Sequence, residues 1–241
     1  NSLGDNKDII VDTDAPTASI AYSDSLVKEN DVVNISVIFD AAMTSAPQIA
    51  IAYAGGSELD TVNMSQVNDT VWAYNNITIP DGNDGAATVS IIGTDIAENA
   101  LTNPNSSFRS LMRLDNTHPT FTLLSPDSSE YVNHTLVGYK LSETSFSGTI
   151  TWTRVGGTAD ANSPHAVTLT EDELDQATTF SDYTLDNVPT NLVSGTNYSL
   201  TWSATDSAGN ISSNFVSTPV YYDTTAPTAV LTYSHYFASE D

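Results

Sequence analysis

Apolar and polar residues alternate along most of this chain, and a period of two is the pattern of half-buried β-strands. The alternating segments are rich in Val, Ile, Thr, Tyr and Trp, and turn clusters such as PDGNDG (80–85) and VSGTN (193–197) separate them. One segment, EDELDQAT (171–178), fits a helical turn and an acidic surface loop equally well. The clearest predicted strands are VVNISVIF (32–39), TVNMSQV (61–67), VWAYNNITI (71–79), AATVSII (86–92), GTITWTR (148–154) and YSLTWSAT (198–205).

The sequence repeats itself with a period of a little over 100 residues. Three segments read Asp, three small or polar residues, Pro, Thr and then an alternating run: DTDAPTASIAYS (12–23), DNTHPTFTLLS (115–125) and DTTAPTAVLTYS (223–234). A second marker precedes the two later segments, as GTDIAENA (93–100) and ATDSAGNI (204–211). Two markers in one order and at one period indicate tandem repeats.

About seven short strands in each repeat fit an immunoglobulin-like β-sandwich, so we predict an all-β chain of tandem immunoglobulin-like sandwiches. The first domain is expected at 12–114 and the second at 115–222. Residues 1–11 are interpreted as the end of a preceding repeat, and 223–241 as the start of a following one. This interpretation implies a natural protein longer than the 241 residues.

The DTDAPT and DTTAPT segments, with TDSAGN before the last strand, resemble the bacterial immunoglobulin-like repeats of very large surface adhesins and related exported proteins. GTITWTRVGG (148–157) and LTWSATDSAGN (200–210) are similar to repeats of marine bacterial surface proteins. The sequence departs from that pattern at DNTHP (115–119) and at ENA (98–100). The resemblance implies an extracellular location at the cell surface and a spacer or adhesive role.

The charge of the chain excludes several partners. It carries 6 Lys and Arg against 30 Asp and Glu, a formal net charge of −24. So acidic a protein repels the phosphates of nucleic acids and anionic membrane surfaces. No segment approaches the ~20 apolar residues of a membrane-spanning helix, so no membrane insertion is expected. The absence of Cys excludes disulfides and thiolate sites.

No catalytic motif is found. The four histidines are scattered, and neither H-E-x-x-H nor G-x-S-x-G occurs. The three tryptophans lie within alternating runs, which favours packing in the core over a sugar-binding platform. We therefore predict that this segment is not an enzyme.

Acidic residues recur at one end of each predicted sandwich. The linker enters there, and the second and sixth strands end there. In the first repeat these acids are Asp12, Asp14, Asp40 and Asp95, and in the second they are Asp115, Glu143 and Asp206. Asp81, Asn83 and Asp84 of the PDGNDG loop are expected to complete the group around Asp115, and Asp223 begins the third linker.

Crowded carboxylates repel one another, and oxygen ligands in irregular loops suit Ca²⁺. All eleven of these residues are therefore candidate calcium ligands, although Asp is also a common turn residue that bonds to its own backbone.

Three functions fit the sequence. The first is a non-catalytic spacer of a cell-surface adhesin, stiffened by calcium and joined to neighbouring repeats of the same chain. The second is part of a surface-layer lattice or extracellular filament, in which like subunits would be the partners. The third is an accessory segment of a secreted hydrolase. The fold by itself does not choose among them.

Overall fold

The computed structural model describes residues 11–56, 58–82, 84–101 and 112–232. These residues are nearly all β, with strands β1 to β18, one 3₁₀ turn, η1 (Asp172–Leu174), and no α-helix among them. The all-β prediction is confirmed. The described residues form two compact units. The first extends to His118 and includes the short segment Asp206–Asn210, and the second comprises Pro119–Thr205 and the residues from Ile211 onward.

The strands of the first unit form three sheets, in the orders β1-β3-β7-β6, β5-β4-β9 and β2-β10-β8. Their pairing is antiparallel except between β2 and β10. The strands are β1 (Ala18–Tyr22), β2 (Leu26–Val27), β3 (Val32–Phe39), β4 (Gln48–Ala52), β5 (Glu58–Asn63), β6 (Ser65–Gln66), β7 (Val71–Thr78), β8 (Gly85–Ala86), β9 (Thr88–Ile92) and β10 (Arg113–Leu114).

The second unit has two sheets, in the orders β11-β13-β16 and β12-β18-β17-β14-β15. Side chains from both sheets meet in one apolar core, so this unit is a β-sandwich. The strands are β11 (Phe121–Ser125), β12 (Tyr131–Val132), β13 (Val137–Leu141), β14 (Ser147–Gly157), β15 (His165–Thr168), β16 (Phe180–Tyr183), β17 (Thr196–Thr205) and β18 (Phe215–Tyr222).

The period of two in the sequence selects the core of each unit. Along β17 every second residue from Thr196 to Ala204 is buried, and along β3 the buried positions alternate in the same way. Trp72 is 6% exposed, and Trp152 and Trp202 are fully buried, as predicted for core residues. The alternation thus decides which face of each strand turns inward.

Two of the predicted strands are each divided between sheets. TVNMSQV is interrupted at the buried Met64, where the chain passes from β5, which pairs with β4, to β6, which pairs with β7. AATVSII is interrupted at Ala87, whose N–H donates to the carbonyl of Met112. Both breaks follow from the closure of the sandwich, since one continuous alternating run supplies hydrogen bonds to two sheets.

EDELDQAT contains the 3₁₀ turn η1, so the helical alternative is confirmed. Glu173 within it is fully buried, which a solvated acidic loop does not explain. Its carboxylate accepts the N–H groups of Thr170 and Asp186, both at 2.8 Å. Residues 1–10 and 233–241, predicted to belong to neighbouring repeats, lie outside the described residues, and 223–232 form no strand.

Candidate metal site and the loops that hold the linkers

The loop after β17 is built around the carboxylate of Asp206, which is 3% exposed. Its Oδ1 accepts a hydrogen bond from the N–H of Asn210, and its Oδ2 accepts one from Nδ2 of the same residue, both at 2.8 Å. The N–H of Asp206 donates to the carbonyl of Asn210 at 3.0 Å. Gly209, with φ of +85°, supplies the left-handed residue that this tight loop needs.

The first unit carries the same loop after β9. Asp95 is 1% exposed and accepts the N–H of Asn99 at 2.8 Å and its Nδ2 at 2.9 Å. Glu98 occupies the position of Gly209 and has φ of +67°. The departure of ENA from the repeat pattern therefore places a residue with a Cβ in a conformation that glycine adopts more easily.

In both loops the asparagine side chain also binds a linker. Nδ2 of Asn99 donates to the carbonyl of Asp12 at 3.3 Å, and Nδ2 of Asn210 donates to the carbonyl of Asp115 at 2.7 Å. The aspartates of these loops were predicted as metal ligands from the sequence, and the role of the asparagines was not predicted. The signal was present, because both markers read Asp-x-x-x-Asn.

Two of the predicted ligands lie close together within the first unit. A carboxylate oxygen of Asp115 lies within 4.8 Å of a carboxylate oxygen of Asp206. The half-buried position of Asp115 raises the pKa of its carboxyl group, and the negative charges of Asp206 and Asp84 raise it further. The hydrogen bond from the Thr117 N–H and the positive charge of Arg113 act in the opposite direction without cancelling this shift. A divalent cation would relieve the repulsion, and an all-oxygen ligand set favours Ca²⁺ or Mg²⁺ over softer metals.

The other acids predicted at the end of the first unit make no comparable group. Among the described residues, the carboxylates of Asp12, Asp14, Asp40 and Asp95 do not form a set of three within this distance. Asp40 instead accepts the N–H and the Oγ1 of Thr17, at 2.7 and 2.6 Å, and these hydrogen bonds lower its pKa. Asp12 accepts the N–H of Asp14 at 3.0 Å. These are the turn and capping roles that short acidic side chains commonly adopt.

The PDGNDG loop does lie beside the second linker. Asp84 accepts the N–H of Asn116 at 2.6 Å and the hydroxyl of Thr117, and these bonds lower the pKa of Asp84. The carbonyl of Gly82 accepts Nδ2 of Asn116 at 2.9 Å. Asp81 is exposed, and Asn83 lies outside the described residues.

Asn116 in the second linker contacts two loops of the first unit. Besides its bonds to the PDGNDG loop, its Oδ1 accepts the N–H of Glu29 at 2.6 Å. At the third linker, Asp223 accepts the N–H of Thr225 at 2.8 Å and the hydroxyl of Ser194 at 3.0 Å, and the pKa of Asp223 is lowered by both bonds.

The second unit also contains a buried polar cluster that the sequence did not predict. Oδ2 of Asp160 accepts the hydroxyl of Tyr198 at 2.6 Å and lies 2.7 Å from Nε2 of His165. The hydrogen bond from Tyr198 and then that from His165 lower the pKa of Asp160 to about 2. The hydroxyl of Tyr198 in turn accepts the N–H of Val193 at 2.9 Å. Nothing in the sequence around Asp160 distinguishes it from a loop residue.

No helix among the described residues is long and apolar enough to cross a membrane. No family model matches the sequence, and no curated protein matches it either. One similar solved structure is the crystal structure of a tetra-tandem repeat in the extending region of a large adhesion protein. It is 20% identical, with a TM-score of 0.31, and the match covers 87% of this chain and 50% of that one. The chain thus spans about half the length of that neighbour.

Proposed function

We propose that this chain is a non-catalytic, extracellular segment of a cell-surface adhesin, in which immunoglobulin-like sandwiches in tandem act as a spacer that calcium stiffens. The repeat of linker and loop at one period supports a spacer, because each module presents the same ends to its neighbours. The strand order β11-β13-β16 opposite β18-β17-β14-β15 supports the immunoglobulin-like topology.

The observation that carries the calcium proposal is the pair of carboxylates Asp115 and Asp206 in the first unit, beside Asp84, whose negative charge also raises the pKa of Asp115. They come from positions far apart in sequence, so their proximity depends on the folded chain. A cation held by them would bind the folded form and not the unfolded one. Such binding stabilises a protein by RT ln(1 + [L]/Kd), or about 2.7 kcal/mol at a hundredfold excess over Kd. Extracellular calcium modules bind at about 10⁻⁴–10⁻³ M, which sets the concentration to test.

The test is thermal unfolding of the whole chain in EDTA, in millimolar CaCl₂, in millimolar MgCl₂ and in NaCl of equal ionic strength. We expect CaCl₂ to raise the melting temperature by several degrees and NaCl to raise it much less. Equal melting temperatures in CaCl₂ and EDTA would refute the calcium site and leave the spacer without its metal.

Asp115→Asn and Asp14→Asn form a matched pair of variants. Both replace an aspartate by asparagine and remove one negative charge, but only Asp115 lies beside Asp206. Asp115→Asn should abolish most of the calcium-dependent rise in melting temperature, whereas Asp14→Asn should keep it. If both variants keep the rise, calcium binds elsewhere on this acidic chain.

A further inference from the structure

The two linkers that enter a sandwich are each held at two points, five residues apart. At the first point, the carbonyl of the linker aspartate accepts an asparagine amide, from Asn99 for Asp12 and from Asn210 for Asp115. Both asparagines lie four residues after a buried aspartate that fixes the amide through its second carboxylate oxygen. The donor is therefore oriented by the loop itself and not by the linker.

The second point is the threonine after the linker proline. The N–H of Thr17 donates to Oδ1 of Asp40 at 2.7 Å, and the N–H of Thr120 donates to Oγ of Ser142 at 2.9 Å. A backbone hydrogen bond joins each pair in the opposite direction. The N–H of Asp40 donates to the carbonyl of Thr17, and the N–H of Ser142 donates to the carbonyl of Thr120. Asp40 directly follows β3, and Ser142 directly follows β13.

The third linker has the same sequence pattern as the first two, and its aspartate and threonine, Asp223 and Thr228, are also five residues apart. Its environment differs from that of the first two. Pro16 and Pro119 are buried, whereas Pro227 is exposed, as is every residue from Asp223 to Thr232. The third linker therefore presents the groups that the first two have engaged.

We propose that residues 223–228 form a docking segment for a further β-sandwich of this kind. The partner would present an Asp-x-x-x-Asn loop, whose asparagine amide binds the carbonyl of Asp223. It would also present a carboxylate or hydroxyl side chain just after its second long strand, which accepts the N–H of Thr228. This inference rests on the tandem arrangement of the proposed function. The recognition is made by hydrogen bonds to the backbone and needs no metal, although its asparagine is oriented by the counterpart of Asp206, a proposed calcium ligand.

The experiment compares the 241-residue chain with a longer chain, in which a second copy of residues 121–222 follows Thr228. Amide hydrogen exchange is measured at Thr228 in EDTA. We expect exchange to be slower by roughly tenfold or more in the longer chain, because the copied Ser142 accepts this N–H. Slow exchange in the copied β14 and β17 shows that the added sandwich is folded. A folded copy with unchanged exchange at Thr228 would overturn the proposal.

Three variants within the copy identify the contacts. Ser142→Ala should return Thr228 to fast exchange, and Asn210→Ala should accelerate exchange across 224–228. Asn187→Ala is the matched control, because this amide also donates to a backbone carbonyl, that of Thr168, but does not contact a linker. Protection at Thr228 that survives Ser142→Ala would overturn the proposal even if the Asn210→Ala copy failed to fold. Because EDTA is present throughout, failure of the calcium site would leave these results unchanged.

Discussion

Asn210→Ala tests how much the loop after β17 contributes to the stability of the chain. The side-chain amide donates to Oδ2 of Asp206 at 2.8 Å and to the carbonyl of Asp115 at 2.7 Å. Asn210 and Asp206 are each 3% exposed, so water does not readily replace the lost donor. The N–H of residue 210 would still bind Oδ1 of Asp206 in the variant. The substitution therefore removes one buried and one part-buried hydrogen bond and leaves the backbone of the loop otherwise intact.

The expected loss follows from these two bonds. A hydrogen bond to a charged group contributes about 1.5–3 kcal/mol, and one to a neutral carbonyl about 0.5–1.5 kcal/mol. Together they predict a decrease of about 3 kcal/mol in the free energy of unfolding. With a urea m-value of about 2 kcal/mol/M, the unfolding midpoint should fall by about 1.5 M.

Two further variants separate the contributions. Asn99→Ala removes the same bond to a buried carboxylate, but its bond to the carbonyl of Asp12 is longer, at 3.3 Å, and exposed. We expect it to cost about 2 kcal/mol. Asn187→Ala removes only an exposed bond of 3.1 Å to the carbonyl of Thr168, and should cost about 1 kcal/mol or less.

The assay is urea unfolding in EDTA, followed by the fluorescence of the three buried tryptophans. EDTA removes any calcium contribution, so the midpoints report the hydrogen bonds alone. If Asn210→Ala lowers the midpoint no more than Asn187→Ala does, the reasoning about the buried loop is wrong. Equal losses in Asn210→Ala and Asn99→Ala would show instead that the shorter linker contact of Asn210 adds no stability beyond that of the longer, exposed contact of Asn99.

The remaining predictions concern single positions. Glu98→Gly should raise the free energy of unfolding by about 1 kcal/mol, because glycine relieves the positive φ, and a lower unfolding midpoint would contradict this. Tyr198→Phe should lower the free energy of unfolding by about 2 kcal/mol at pH 7, since the hydroxyl of Tyr198 donates to the buried Asp160. The pKa of Asp160 is lowered to about 2, so the stability from this ionised carboxylate is present above about pH 4 and lost as the pH falls towards 2. The difference between Tyr198→Phe and the parent protein should therefore narrow between pH 7 and pH 2 in urea titrations, and a constant difference would argue against this network.

Many of the strands can be predicted from the sequence, because the alternation of apolar and polar residues depends only on residues that are close together in the chain. The run VVNISVIF matches β3 residue for residue, since its alternation, its turn residues and its β-branched side chains all agree. The burial of Trp152 and Trp202 follows from the same alternation. The pairing of strands is harder to predict from the sequence, because one alternating run such as TVNMSQV can form hydrogen bonds with two different sheets.

Candidate ligands are harder to predict than strands. Asp40 and Asp115 look alike in sequence, as acids at the ends of strands and linkers. The fold gives Asp40 two hydrogen-bond donors from Thr17, and it places Asp115 near Asp206. The difference lies in neighbours that are distant in sequence, and composition carries no information about them.

The sequence by itself determined the β class, the repeat period, the inward face of each strand and the acidity of the chain. These properties depend on the order of neighbouring residues and on total charge. Only the tertiary structure decided which carboxylates meet, which asparagine holds which linker, and that Asp160 and Glu173 are buried with their partners. Those contacts depend on the closure of each sandwich, which brings together side chains that the chain separates by tens of residues.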